Sequence, residues 1–125
     1  MQMAMTARWE IFPEDLDATA DFYVRVLGLE IVKDQRSADQ PYLSVQRGQV
    51  RIGAAARPAP SDRQHRRPPT GVELVLEVDD LSAERDRVLA HNWPLAEDVT
   101  DRPWGLPDFR ILDPSGYYLR ITTRE

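Results

Sequence analysis

Three groups of side chains have types and spacing that could do chemistry. His65 and His91 could ligate a metal, the carboxylate-rich stretch Glu14, Asp15, Asp17 and Asp21 could do acid–base work, and Arg63-Gln-His-Arg-Arg-Pro-Pro could grip phosphates. Each also has a plainer reading. The two histidines share none of the short spacings that bring imidazoles onto one ion, so they read as surface or capping groups. The carboxylates fall where a helix should begin, and an acidic first turn suits the positive end of a helix dipole. No acid–base dyad follows from them. The basic run is short, broken by proline and without interleaved aromatic residues, and reads as a solvated linker.

Other chemistries lack their residues. The chain has no cysteine, which removes disulfides, thiolate nucleophiles, zinc knuckles and iron–sulfur sites together. No nucleophile elbow, phosphate loop or glycine fingerprint is found. A formal charge of −5 argues against a general nucleic-acid binder, which needs clustered Lys and Arg on one face. Met1 to Met5 offers no charged and apolar leader, and no stretch approaches the roughly 18 apolar residues that span a bilayer. The expectation is a soluble, unexported protein in a reducing cytoplasm, with neither nucleic acid nor membrane as a partner.

The elements that must position a site can be read from pattern. At 125 residues and 42% hydrophobic side chains, the chain fits one domain able to bury a core. Ala7 to Pro13 reads as a strand, and Asp15 opens a helix whose buried stripe is Leu16, Phe22 and Val26. Gly28 ends it where a left-handed cap is wanted. A strand starts at Glu30, and Tyr42 to Gln46 and Gln49 to Ile52 form a hairpin about Arg47-Gly48. After a proline- and arginine-rich connector, Val72 to Val78 alternates as a strand. A second helix runs from Asp80 to about Ala90, and strands follow near Leu95 to Val99, Phe109 to Leu112 and Tyr117 to Thr122. A shift of 65 positions lays Asp15-Leu16 on Asp80-Leu81, Ala18 on Ala83 and Asp21 on Asp86. The chain therefore reads as a duplication: module 1 over about 6–56, a connector over about 57–70 and module 2 over about 71–125.

The segment Ile11-Phe-Pro-Glu-Asp-Leu-Asp-Ala-Thr-Ala-Asp-Phe-Tyr-Val-Arg-Val-Leu-Gly-Leu resembles the opening of the glyoxalase/bleomycin-resistance/dioxygenase (vicinal oxygen chelate) superfamily. Leu76-Glu-Val-Asp-Asp-Leu is similar to the start of that family's second module, and Pro103-Trp-Gly with Phe109 and Asp113-Pro-Ser-Gly to its ending. The resemblance implies an α+β fold of two tandem βαβββ modules, forming a curved mixed sheet with a ligand cup and helices on the outer face. It specifies the fold more than the activity, since one scaffold serves isomerases, dioxygenases, thiol transferases and metal-free drug-binding proteins.

In metal-dependent members of that family, ligands come from the first and last strands of each module. Counting from Asp15, Asp80 and Asp113 puts those positions at Arg8, Glu73 and Arg120, with the fourth left open in the strand Gln49 to Ala56. Arginine cannot lose its charge and repels a cation, so no cofactor and no metal ligand are expected. Two readings of Arg8, Glu73 and Arg120 stand. In one, Glu73 pairs with one arginine while the other receives a ligand's carboxylate, phosphate or polarised carbonyl. In the other, the three form a structural charge cluster. Strand alternation adds Glu10 and Phe12 beside Arg8, Val75 and Glu77 beside Glu73, and Tyr118 beside Arg120. Trp104, between Pro103 and Gly105, either stacks on a flat ligand or lids the core; Phe109 joins the expected ligand contacts, and Trp9 is expected in the core.

The resemblance implies a metal-free protein that binds and sequesters an antibiotic or aromatic natural product in a cleft completed by a homodimer, with the negative net charge steering a basic ligand inward. The alternative is a glyoxalase- or dioxygenase-like lyase or isomerase, with Glu73 or Glu10 as general base or with a metal site misplaced by a register error.

Overall fold

A computed structural model describes residues 3–57, 69 and 71–124. Module 1 runs β1 (Trp9–Ile11), α1 (Leu16–Asp21), which continues as a π-helical turn over Phe22–Val26, then β2 (Glu30–Gln35), β3 (Tyr42–Arg47) and β4 (Val50–Ala55). Module 2 repeats the order with β5 (Leu74–Val78), α2 (Leu81–Ala90), β6 (Glu97–Thr100), β7 (Asp108–Leu112) and β8 (Tyr118–Thr123). Each module makes one four-stranded sheet, ordered β1-β4-β3-β2 and β5-β8-β7-β6. β1 runs parallel to β4 and β5 to β8, while the remaining pairs are antiparallel. The two-module βαβββ expectation holds. The first strand is shorter than expected, and β6 is displaced toward the C-terminus of its predicted span. His65 and the run Arg63 to Arg67 lie outside the described residues, as does most of the connector.

The duplication shows in its caps. Asp15 and Asp80 both hold extended backbone before their helices and accept a hydrogen bond from the backbone N–H of Ala18 and of Ala83, each at 3.0 Å. This is the N-cap geometry that a short carboxylate three residues upstream provides. Gly28, at φ +75°, closes the first helical segment. A Cβ there would also lie 3.3 Å from the Arg87 guanidinium, so conformation and close approach both call for glycine.

Alternation along the strands sends one face of each sheet into a common core. Leu43 and Val45 of β3, Ile52 and Ala54 of β4, Phe109 and Ile111 of β7, and Leu119 and Ile121 of β8 all join Phe22, Tyr23, Val26 and Val88 there. Polar clamps tie the modules across it. Tyr23 donates to Asp113 at 2.8 Å, Arg25 to the His91 carbonyl at 3.0 Å and Arg87 to the Val26 carbonyl at 3.1 Å. Phe22 packs against Trp93 with ring centres 4.7 Å apart. Because the helix-side faces of both sheets meet in this core, their other faces look away from it. Trp9 departs from expectation: it is 37% exposed, because β1 is a three-residue edge strand that carries it past the core. No helix among the described residues is long and apolar enough to cross a membrane.

Candidate functional site

The helix-free face of the first sheet holds an open cleft of about 380 Å³, lined by Arg8, Glu10, Lys33, Tyr42, Ser44 and Arg51 among others. Its centre is a small ion-pair unit. Arg8 reaches Glu10 at 2.6 Å, and the Tyr42 hydroxyl donates to the same carboxylate at 2.9 Å. Burial, then the bond to Glu10, raise the Tyr42 pKa above the ordinary tyrosine value, so this phenol is a donor and a poor base. The unit fits because Gly53 lies beneath it: a Cβ at that position would collide with the Tyr42 hydroxyl and the Glu10 carboxylate. Arg51 donates to Thr6 Oγ1 at 2.8 Å.

The corresponding face of the second sheet is wired differently. Arg120 forms an ion pair with Glu73 at 3.0 Å and lies 5.6 Å from the centre of the Trp104 ring, a cation–π geometry. Its Nε is buried with no hydrogen-bond partner among the described residues. Arg110 donates to the Tyr118 hydroxyl at 3.2 Å and to Asp108 at 3.2 Å. Asp108, 1% exposed, also receives Arg102 at 2.8 Å, and Arg102 reaches Glu97 at 2.9 Å. Burial pushes the Asp108 carboxyl up, but the Arg102 and Arg110 guanidiniums outweigh it and hold the pKa below the ordinary carboxylate value. Arg102 begins the loop that carries Trp104. The clamp on Asp108 and Glu97 therefore positions an indole that is 58% exposed.

The structure brings Glu73, Arg120 and Trp104 together, with Val75 opposite Arg120 in the β5–β8 register and Tyr118 on the same face of β8. Arg8 and Glu10 meet on the other sheet. Phe12 is exposed, with the Arg57 guanidinium 4.8 Å above its ring, and does not line the cleft. Phe109 is corrected: expected among the ligand contacts, it is fully buried, because the β7–β8 register pairs it with Ile121 on the core side of the sheet. Lys33, Tyr42, Arg51, Arg102, Asp108 and Arg110 were not singled out from the sequence. The alternation of Tyr42, Ser44 and Gln46 is the signal that marks the open face of β3.

The register also supplies the fourth metal-equivalent position. Glu10 pairs with Gly53 across β1 and β4, and Val75 pairs with Arg120 across β5 and β8. Since Glu10 and Val75 are related by the internal repeat, Gly53 is the counterpart of Arg120. The four positions are then Arg8, Gly53, Glu73 and Arg120, with one carboxylate among two cations and a glycine. That donor set does not fit a divalent ion, which needs about three anionic or neutral ligands. Among the described residues no three His, Cys, Asp or Glu side chains gather as a metal site.

Comparison with known proteins places the chain. Solved structures of similar fold include a bleomycin resistance determinant encoded on the transposon Tn5, at 22% identity over 98% of this chain and 99% of that one, with a TM-score of 0.79. TioX from Micromonospora sp. ML1 is similar at 20% identity over 98% and 100%, TM-score 0.78. A superfamily member from Sphaerobacter thermophilus DSM 20745 is similar at 19% identity over 98% of each chain, TM-score 0.74. These likenesses bear on the fold alone. No curated protein matches the chain. The family model of the Glyoxalase/Bleomycin resistance protein/Dioxygenase superfamily matches residues 4–121, nearly the whole length, and the chain belongs to that superfamily.

Proposed function

We propose that the protein binds and sequesters an aromatic small molecule, an antibiotic or similar natural product, on the open faces of its sheets, without a metal. The observation that supports this most is Trp104. Its indole is mostly exposed and yet held in place, backed by Arg120 and fixed through the Arg102 clamp. A rigid, pre-positioned ring over a guanidinium suits stacking on a flat ligand, because little freedom is lost on binding. The enzymatic alternative finds weaker support. Glu10 and Glu73 each already take an arginine, so neither is poised to accept a substrate proton without breaking its pair.

A second copy of the chain is the proposed cover for these faces. Val32 and Trp104 are exposed on them, and pairing two copies about a two-fold axis would enclose a ligand between a first sheet and a second sheet. Untagged protein, assayed for bound metal and screened by thermal shift against aromatic natural products with and without divalent ions, tests the reading. Stabilisation by an aromatic compound, indifferent to metal and lost in Trp104→Ala, is the expected result. A stoichiometric metal, or stabilisation only with a divalent ion, overturns the metal-free reading.

A further inference from the structure

We propose that the first-sheet cleft selects ligands bearing an anionic group, a carboxylate or a tetrahedral sulfonate or phosphate, held between Lys33 and Arg51. The inference rests on the binding reading above and names the chemistry of what is bound. The side chains lining the cleft include three cations, Arg8, Lys33 and Arg51, and one carboxylate, Glu10. Arg8 and Glu10 neutralise each other at 2.6 Å. The other two cations are left over. Arg51 uses one guanidinium nitrogen on Thr6 Oγ1 at 2.8 Å and on the Ala7 carbonyl at 3.3 Å, both neutral acceptors. Lys33 has no ion pair among the described residues. Glu30, on the same strand, does not line the cleft, and Asp34 is taken by Arg36 at 2.7 Å.

The placement lets both cations reach one group. Lys33 pairs with Ser44 and Arg51 with Gln46, so they flank β3 from opposite sides, two residues apart along it. Strand geometry sets their backbones about 10 Å apart across the sheet and about 7 Å along it, a span two long side chains close over an anion. Tyr42 and Val32 supply an aromatic and an aliphatic wall. The excess is local: the chain carries −5 overall, yet among the described residues that line it this cleft has a surplus of two positive charges. A concave site focuses such a field, so the local sign governs ligand choice more than the net charge does. The expectation of a basic ligand steered by the negative net charge therefore gives way to an aromatic acid. A volume of about 380 Å³ suits a ligand of two or three fused rings.

Calorimetric titration of the wild type with anthraquinone-2-carboxylate, anthraquinone-2-sulfonate and the neutral anthraquinone-2-carboxamide tests this. At least one anion should bind about tenfold or more tightly than the amide. In the double variant Lys33→Met, Arg51→Met the preference should shrink to within about twofold, with anion affinity falling far more than amide affinity. Carboxylate against sulfonate distinguishes a planar from a tetrahedral anion. Arg51→Lys, which keeps the charge, should retain most of the preference and controls for a folding defect. An amide that binds the wild type as tightly as both anions overturns the inference, as does a preference that survives the double variant; aromatic binding itself then stands. If none of the three binds and the aromatic screen is also silent, the binding reading fails and this inference fails with it.

Discussion

The open faces of the two sheets come from one repeated plan, yet one has glycine at its floor and the other arginine. Gly53 leaves room in the first sheet for the Arg8–Glu10–Tyr42 unit and for a cleft above it. Arg120 fills the equivalent place in the second, and its charge is answered by Glu73 and by the face of Trp104. The consequences spread outward. Among the described residues, Lys33 and Arg51 of the first face have no carboxylate partner, whereas Arg102, Arg110 and Arg120 of the second each have an acid within reach. The one plan thus yields an open, positively biased cleft on one face and, on the other, paired guanidiniums presenting an indole. The difference lies in side-chain volume and charge at two register-equivalent positions, with the backbone plan held constant.

The wiring of the second face is the part most costly to break. Asp108 is 1% exposed and receives two guanidiniums, so Asp108→Ala takes the carboxylate from Arg110 and leaves Arg102 with Glu97 alone. Removing one partner of a buried ionic cluster costs about 3 kcal/mol, to be read by chemical denaturation. The same change loosens the hold on Arg102, which keeps only Glu97, and should broaden the mobility of the Trp104 loop, seen as faster quenching of indole fluorescence. The pH dependence has a definite sign. The Asp108 pKa is lowered in the folded protein, so its contribution is complete above roughly pH 4, the unfolded value, and fades as pH falls through the folded one. Wild type should lose more stability than Asp108→Ala on acidification below that point. Equal losses would show that the cluster is not the coupled unit described.

Arg120 comes next. Arg120→Glu sets a carboxylate beside Glu73 where a pair stood, and should cost about 1–2 kcal/mol in thermal or chemical unfolding together with the stacking support of Trp104. Arg8→Glu reverses the charge just ahead of β1, at the position the internal repeat relates to Glu73. Arg8 is half exposed there, so the change should stay within about 0.5 kcal/mol, the range of surface pairs. Comparable losses from both would mean that the two faces are built alike after all.

What the sequence made legible follows the reach of local rules. Asp15 and Asp80 announce helix starts because a cap is decided by a few neighbouring residues, and Gly28 announces a stop for the same reason. The Glu73–Arg120 pair was reachable because the family resemblance, counted from Asp80 and Asp113, implies that both positions face one cup. Phe109 was misplaced because its face depends on the antiparallel register between β7 and β8, which no local signal around Pro103 to Pro107 fixes. Lys33 was hidden by a bulge. The pairing of β2 with β3 shifts between Ile31 and Lys33, which resets the alternation that a period of two would otherwise carry along the strand. The Arg102–Asp108–Arg110 cluster joins a loop to a strand, and only the folded register brings its members together.

The finest test of the contrast is Gly53→Ala, because its sign is diagnostic. Gly53 does not hold the positive φ that demands glycine, and in an ordinary strand position replacing glycine by alanine stabilises by about 0.5–1 kcal/mol. Here the new methyl meets the Glu10 carboxylate and the Tyr42 hydroxyl, with Arg8 attached to the same acid. Either the unit holds and is strained, or it opens and Tyr42 swings into the cleft. Both outcomes convert the usual gain into a loss of about 1 kcal/mol and diminish binding of an aromatic anion. In the double variant Tyr42→Phe, Glu10→Gln the obstacle is smaller and uncharged, so the penalty of alanine at position 53 should fall toward zero. A Gly53→Ala protein as stable as the wild type and equally able to bind would place the floor of the cleft elsewhere. The asymmetry of the two faces would then rest on Arg120 alone.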